Sequence, residues 1–299
     1  MIYLRRSNSE SWPWTQDSIF LKFKFCNVYR EQDRVTEWIR NNWITPFSEH
    51  PNLWFALCLA RMINWPDSLQ EIGFPVTWNP NSVLDILQER MTSQKKTFTS
   101  AYLLGGGNNL GISKAEYIIR RVLDPVWKEF HRAIGMTVNF NALPSSYPKF
   151  AVMDLWAQLG TEPYRTSLQE TWQWLCQFHG WGKFLAYEVV TDLRHTRYLC
   201  NAPDIMSWAN IGPGARRGLN RIYERELRAT GQSDEKLLEE LLLITSWMLE
   251  NKDPHILPLW EPRDTEHWLC ETDKYHRAVE RLKAGKVTGL ERYHTPELI

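Results

Sequence analysis

FHGWGKFLAYEVVTDLRHT, residues 178–196, is the stretch on which the reading of this chain turns. Gly180 and Gly182 bracket a short turn, and a helix follows over about 183–193. Upstream, Ser167 and Glu170 set a capping box that opens a helix running to about Phe178. The second helix begins with backbone N–H groups on the positive end of its dipole, and Lys183 stands beside them. Such a turn suits a nucleic-acid phosphate. The plainer alternative is that two glycines only make a tight connection between helices.

Outward from the hairpin, the apolar spacing stays helical. Val35, Trp38 and Ile39 mark a helix in the second half of 20–43, and residues 51–64 form an apolar one. Ser82 is expected to cap a helix through about Arg90, and Ser113 with Glu116 to open another from 114. Pro125 should kink or split that helix, and Pro144 and Pro148 mark a further break. Helices over 215–229, 234–250 and 264–283 complete the pass. Strand-like alternation is nearly absent, so the expected class is all-α. Its organisation is expected to be an N-terminal arm (1–18), one helical domain (19–290, with the hairpin at 168–193) and a C-terminal tail (291–299). Two helical lobes around a cleft are the variant of that plan.

Composition narrows the function. The chain has 299 residues and zero formal net charge, which argues against coating nucleic acid through many Lys and Arg contacts. Five scattered cysteines form no CxxC, zinc or iron–sulfur spacing. GGGNNLG (105–111) is a loop without the Walker A or dinucleotide-binding pattern. No run of about 18 apolar residues is present, so no membrane partner is expected. Sixteen tryptophans are an excess. Most should fill a helical core, though flat rings also hold an extruded base.

Charge is nevertheless uneven. From Lys183 to Arg228 there are eight Lys or Arg and five acids, an excess that suggests a DNA or pyrophosphate face. Within this region Asp204 follows the hairpin by about twenty residues. The segment resembles the helix-hairpin-helix DNA glycosylases, which place an acid at this distance, opposite the flipped nucleotide. Their pattern continues into Thr-His, whereas Ile205 and Met206 follow here.

Three longer motifs carry a second resemblance: FCNVYREQDRVTEWI (25–39), GWGKFLAYEVVTDLR…IGPGARRGL (180–219) and EHWLCETDKYHR (266–277). Together they are similar to the phage α-glutamyl/putrescinyl thymine pyrophosphorylases, or amino acid:DNA transferases. The same helical domain accompanies phage 5-hydroxymethyluracil DNA kinases. The resemblance implies a helical fold related to helix-hairpin-helix glycosylases and a place in the cytoplasm of an infected bacterial host. It also implies an enzyme acting on double-stranded DNA whose modified thymine carries a 5-pyrophosphoryloxymethyl group. An amino acid or polyamine would displace the pyrophosphate. A glycosylase acting on a modified base and a non-catalytic DNA-binding module are the alternatives.

That chemistry sets the expected site. The attacking amine must lose a proton to a carboxylate; Asp204 is the first candidate, then Asp192 and Glu188, then Glu271 with Asp273. The departing pyrophosphate needs fixed cations, for which Arg30, Arg34, Arg216, Arg217 and Lys274 are the candidates. Arg30 and Arg34 would share a helical face if the helix begins early. Asn27 would orient a substrate amide or carboxylate. Trp208, with Trp181 and Tyr187, would offer stacking surfaces. Gly180, Gly182 and Lys183 would hold the DNA backbone. No cofactor and no metal ligand set is expected, although a divalent cation such as Mg2+ could assist pyrophosphate departure.

Overall fold

The computed structural model describes residues 10–11, 14–99, 110–129, 167–251 and 259–286. Among them every regular element is helical, as the apolar spacing predicts. In chain order the α-helices are α1 (Ser18–Lys22), α2 (Arg34–Ile39), α3 (Leu53–Ile63), α4 (Pro66–Ile72), α5 (Pro80–Thr92) and α6 (Lys114–Glu116). They continue with α7 (Leu168–Cys176), α8 (Lys183–Leu193), α9 (Pro213–Ile222), α10 (Asp234–Asn251) and α11 (Pro262–Lys283). The chain forms two compact units, Arg34–Trp208 and Met1–Asp33 with Ala209–Ile299.

In the 34–208 unit, α3 reads LWFALCLARMI and buries all of its residues. A helix apolar on every side must lie inside a bundle. It stops at Asn64, whose φ of 47° is the left-handed conformation that closes a helix. Helix α8 packs on α3 and α7. Trp208 is buried against Tyr187 and Trp172, and Trp181 donates from Nε1 to Val122 O at 3.4 Å. These rings fill the core of the unit, so the stacking surfaces expected at Trp208, Trp181 and Tyr187 are not presented to solvent.

The other unit is built on α11. Pro262 occupies its first turn and Glu261 with Asp264 makes a reciprocal capping box, so both ends of the sequence signal coincide. Helix α9 approaches α11 closely because it carries glycines. A Cβ at Gly218 would lie 2.6 Å from the Leu269 carbonyl oxygen, and one at Gly214 would overlap Cys270 Sγ. Helix α1 packs through Ile19 on Ala278 of α11.

Several local expectations need correction. Helix α5 begins at Pro80 and is capped by Asn79, whose side chain accepts from Ser82 N–H; proline at the first position with Asn before it outcompetes serine two residues later. At Pro125, where a kink or split is expected, the helix changes its winding and runs on. The turn before it widens to π geometry over Tyr117–Leu123, and α-helix resumes over 124–129. A wider turn accommodates a residue that has no N–H to donate. Helix α9 ends at Ile222, short of 229, and Glu224 has a φ of 52°. Arg30 and Arg34 do not share a helix. Arg30 lies in a 3-10 turn (Arg30–Gln32) that ends at the extended Asp33, and Arg34 starts α2. The expectations for most of the arm, for 105–109, Pro144 and Pro148, and for the tail 291–299 fall outside the described residues.

Candidate functional site

The hairpin forms as the glycines require. Gly180 has a φ of 83°, and a Cβ there would lie 2.5 Å from Val122 Cγ2, so only glycine fits this turn. Gly182 caps α8 with no side-chain bond and has nothing within 4 Å of where a Cβ would be. Gly182, Lys183 and Phe184 are exposed. The N-terminus of α8 therefore opens to solvent, with Lys183 Nζ 5.9 Å from the Trp172 ring.

The three acids expected in this unit have structural partners. Asp204 accepts from the backbone N–H groups of Leu168 (2.7 Å) and Gln169 (3.0 Å). It thus satisfies two donors that α7 leaves unpaired at its first turn. Asp192 takes a bidentate pair from Arg61, Nε to Oδ2 at 2.6 Å and Nη2 to Oδ1 at 2.5 Å. Glu188 lies 3.8 Å from Arg61 Nη1. Arg61, Asp192 and Glu188 are buried, whereas Asp204 is half-buried. Arg61 had no sequence signal beyond being the one charge in an apolar helix. That singularity was itself the clue, since a buried charge demands a partner.

The N-terminal, 212–219 and 266–277 motifs do converge, on α11. From the N-terminal segment, Cys26 N–H donates to Glu271 Oε2 at 2.9 Å. Arg263 donates to Glu31 Oε1 at 3.1 Å and to Glu261 Oε2 at 2.9 Å. From the 212–219 stretch, Gly212 N–H donates to Glu266 Oε1 at 3.2 Å. Lys274 Nζ lies 3.3 Å from Glu271 Oε2 and 5.2 Å from the Phe25 ring. Much of Cys26 is exposed, yet desolvation of the thiol and the neighbouring Glu271 carboxylate push its pKa up to about 11. Burial likewise pushes the Cys270 thiol up to about 12, with Glu266 and Glu271 adding to it.

Asp273 organises the basic side. It is fully buried, and its Oδ2 accepts from Arg217 Nε (2.7 Å) and Arg277 Nε (2.9 Å), while Oδ1 accepts from Arg221 Nε (3.2 Å). Arg221 is also bound to Glu280 at 2.8 Å. Arg217 and Arg277 are each held only by Nε. Among the described residues no acceptor reaches their Nη groups, and their side chains stay 30% and 36% exposed. Beside them an open pocket of about 470 Å3 is lined by Gly218, Arg221, Trp268, Thr272 and His276.

Other expected residues are committed to the fold. Arg216 binds Asp234 Oδ1 at 2.8 Å and Gln232 O at 3.1 Å, fixing the start of α10. Asn27 accepts from Tyr29 N–H and donates to Gln32 Oε1, both at 3.0 Å, which shapes its own turn. Arg30 is buried, and Arg34 is exposed on α2 in the other unit.

The fold and these clusters define an all-helical domain with its polar motifs gathered on one long helix. The chain belongs to the family described as the 5-hmdU DNA kinase helical domain, whose family model matches residues 1–284. This agrees with the kinship to phage 5-hydroxymethyluracil DNA kinases read from the motifs. A curated relative, the 5-hmdU DNA kinase of Bacillus phage SP10, is 25% identical over 302 aligned residues. The alignment covers 93% of this chain and 43% of the relative, so the chain spans less than half of that protein's length. No solved structure matches. Among the described residues no helix is long and apolar enough to cross a membrane.

Proposed function

We propose that this chain takes part in thymine hypermodification of phage DNA, as a transferase that places an amino acid or polyamine on 5-pyrophosphoryloxymethyl-uracil. The observation that carries the reading is the pair Arg217 and Arg277. Each is anchored through Nε on buried Asp273 and keeps its Nη groups for another acceptor. A planar fork of this kind suits phosphate oxygens. In the reaction the amine nitrogen bonds to the exocyclic carbon as the carbon–oxygen bond breaks. Pyrophosphate leaves with the bonding electrons toward Arg217, Arg277 and Lys274, which stabilise the growing charge. The amine proton passes to a carboxylate, and Glu271 is the acid of this cluster placed beside Lys274. The pocket beside Arg221 has the size for a base or an amine donor. The exposed start of α8 would hold a DNA phosphate.

A second reading has its own support. Asp204, Asp192 and Glu188 are all engaged by the fold, as in a DNA-binding module that serves a separate catalyst. One experiment separates the two. DNA carrying the pyrophosphorylated base is incubated with the chain and a panel of amines, then digested to nucleosides. The transferase reading expects a new nucleoside mass and one pyrophosphate released per product, both lost in Arg217→Ala. DNA binding without any product from amino acids or polyamines would leave the binding-module reading standing.

A further inference from the structure

The motif cluster holds a second set of groups, which shares only Glu271 with the proposed transfer chemistry. Cys26, His267 and Glu271 each bring one donor atom to within 4.8 Å of the other two. His267 and Glu271 are four residues apart on α11, hence stacked on one face. Cys26 is tethered to that face by its own N–H on Glu271 Oε2. Both donors that reach Glu271, Cys26 N–H and Lys274, take Oε2. Among the described residues Oε1 accepts nothing, although Glu271 is more than nine-tenths buried. The lone pairs of that oxygen are therefore open to a cation.

We propose that Cys26, His267 and Glu271 bind one zinc-like divalent cation, with Glu271 Oε1 as the carboxylate ligand and a fourth position left open. Sulfur, imidazole nitrogen and one carboxylate make a borderline-soft ligand set, suited to zinc or cobalt and unsuited to magnesium. Bond lengths of about 2.0–2.3 Å at tetrahedral angles put ligand atoms about 3.3–3.8 Å apart. The three side chains therefore need to close by only about 1–1.5 Å from their present separations. The Cys26 thiol gives its proton to solvent as the metal–sulfur bond forms. Three protein ligands and an open position are the arrangement of zinc sites that bind a further oxygen or nitrogen group. This site rests on observations separate from those behind the transferase reading, but it competes with that reading for Glu271. With a metal bound, Glu271 serves the ion, and the amine proton must leave by another route.

The test uses the full chain, stripped with a chelator and titrated with Zn2+ and, separately, with Co2+. About one metal per chain should survive desalting, and the cobalt form should show a thiolate-to-cobalt charge-transfer band. Cys26→Ser should abolish the band and weaken zinc binding by at least about tenfold, and His267→Asn should weaken binding similarly. Helical circular dichroism checks that each variant folds. Absence of the band in the unsubstituted chain overturns the proposal, whatever the variants do. So does zinc affinity that Cys26→Ser leaves unchanged, which marks an adventitious ion only. Amine transfer that proceeds undiminished in the stripped chain would keep the transferase and confine the metal to another role. Metal binding without any transfer would do the reverse.

Discussion

Asp192→Asn distinguishes a buried structural pair from a catalytic acid. The substitution keeps the shape of the side chain and removes its charge. Arg61, 2% exposed, loses the charge partner of both its bonds to Asp192, at 2.6 and 2.5 Å. An Asn can accept one of them, but its amide would face the guanidinium donor to donor. Removing one partner of a buried pair costs about 3–5 kcal/mol. Glu188, 3.8 Å from the same guanidinium, compensates part of this. The expected loss is therefore at the low end, about 3 kcal/mol. Arg61→Met should cost at least as much, because it strands two buried acids together. Glu188→Gln should cost least of the three, since it loses only the longer contact. Urea unfolding with linear extrapolation measures each value, and amine transfer is followed in the same preparations. Transfer by Asp192→Asn should persist wherever the protein is folded. A stability loss under about 1 kcal/mol together with abolished transfer would refute the structural assignment and return Asp192 to the reaction.

Gly182→Asp should lower affinity for duplex DNA about tenfold while stability holds or rises, because the site has room for a Cβ and Asp is a favoured cap; a gel-shift titration beside thermal unfolding reads both. Gly218→Ala should destabilise by about 1–3 kcal/mol, since its Cβ would press on the Leu269 carbonyl, and denaturant unfolding measures it. Tyr275→Phe should raise the pKa of Asp17. The hydrogen bond from Tyr275 at 2.6 Å is the largest cause holding that carboxyl below its ordinary value of 3.8, and Ile19 N–H adds to it against a smaller desolvation effect. A depressed carboxyl stabilises the fold above its unfolded pKa, and that contribution is lost as pH falls through the depressed value. The stabilities of parent and variant should therefore converge in acid, and carbon-detected NMR titration of Asp17 should show the upward move.

The helices were legible because their signals are local. The turn at 180–182, the capping box at Ser167 and Glu170, and the bounds of α8 and α10 can all be read within a few residues. Where the sequence reading slipped, a neighbour in the chain had decided the matter. Asn79 with Pro80 took the cap from Ser82, and the extended Asp33 separated Arg30 from Arg34. The motif residues were found, but their roles were not, because roles depend on partners far away in the chain. Asp192 needs Arg61, 131 residues earlier, and Cys26 meets Glu271 across 245 residues. No spacing rule spans such separations. Nor does any local rule reveal that Gly214 and Gly218 of IGPGARRGL let α9 lie against α11.

The comparison of two arginines shows what separates a structural charge from one free to serve a substrate. Arg61 spends Nε, Nη1 and Nη2 on Asp192, Asn64 and Thr36, so its capacity is consumed where it sits. Among the described residues Arg217 spends only Nε, on a carboxylate that is itself buried and triply bound. It is held in place, yet its outer nitrogens remain available. A lysine could not do this, because one nitrogen cannot be anchored and offered as a planar fork together. The same criterion ranks the acids. Asp204 and Asp192 have both oxygens engaged by described residues, while among the same residues Glu271 is anchored through one oxygen and accepts nothing at the other. Spare hydrogen-bonding capacity on an otherwise fixed group therefore points to α11, and away from the acid after the hairpin, as the place where this chain meets a ligand.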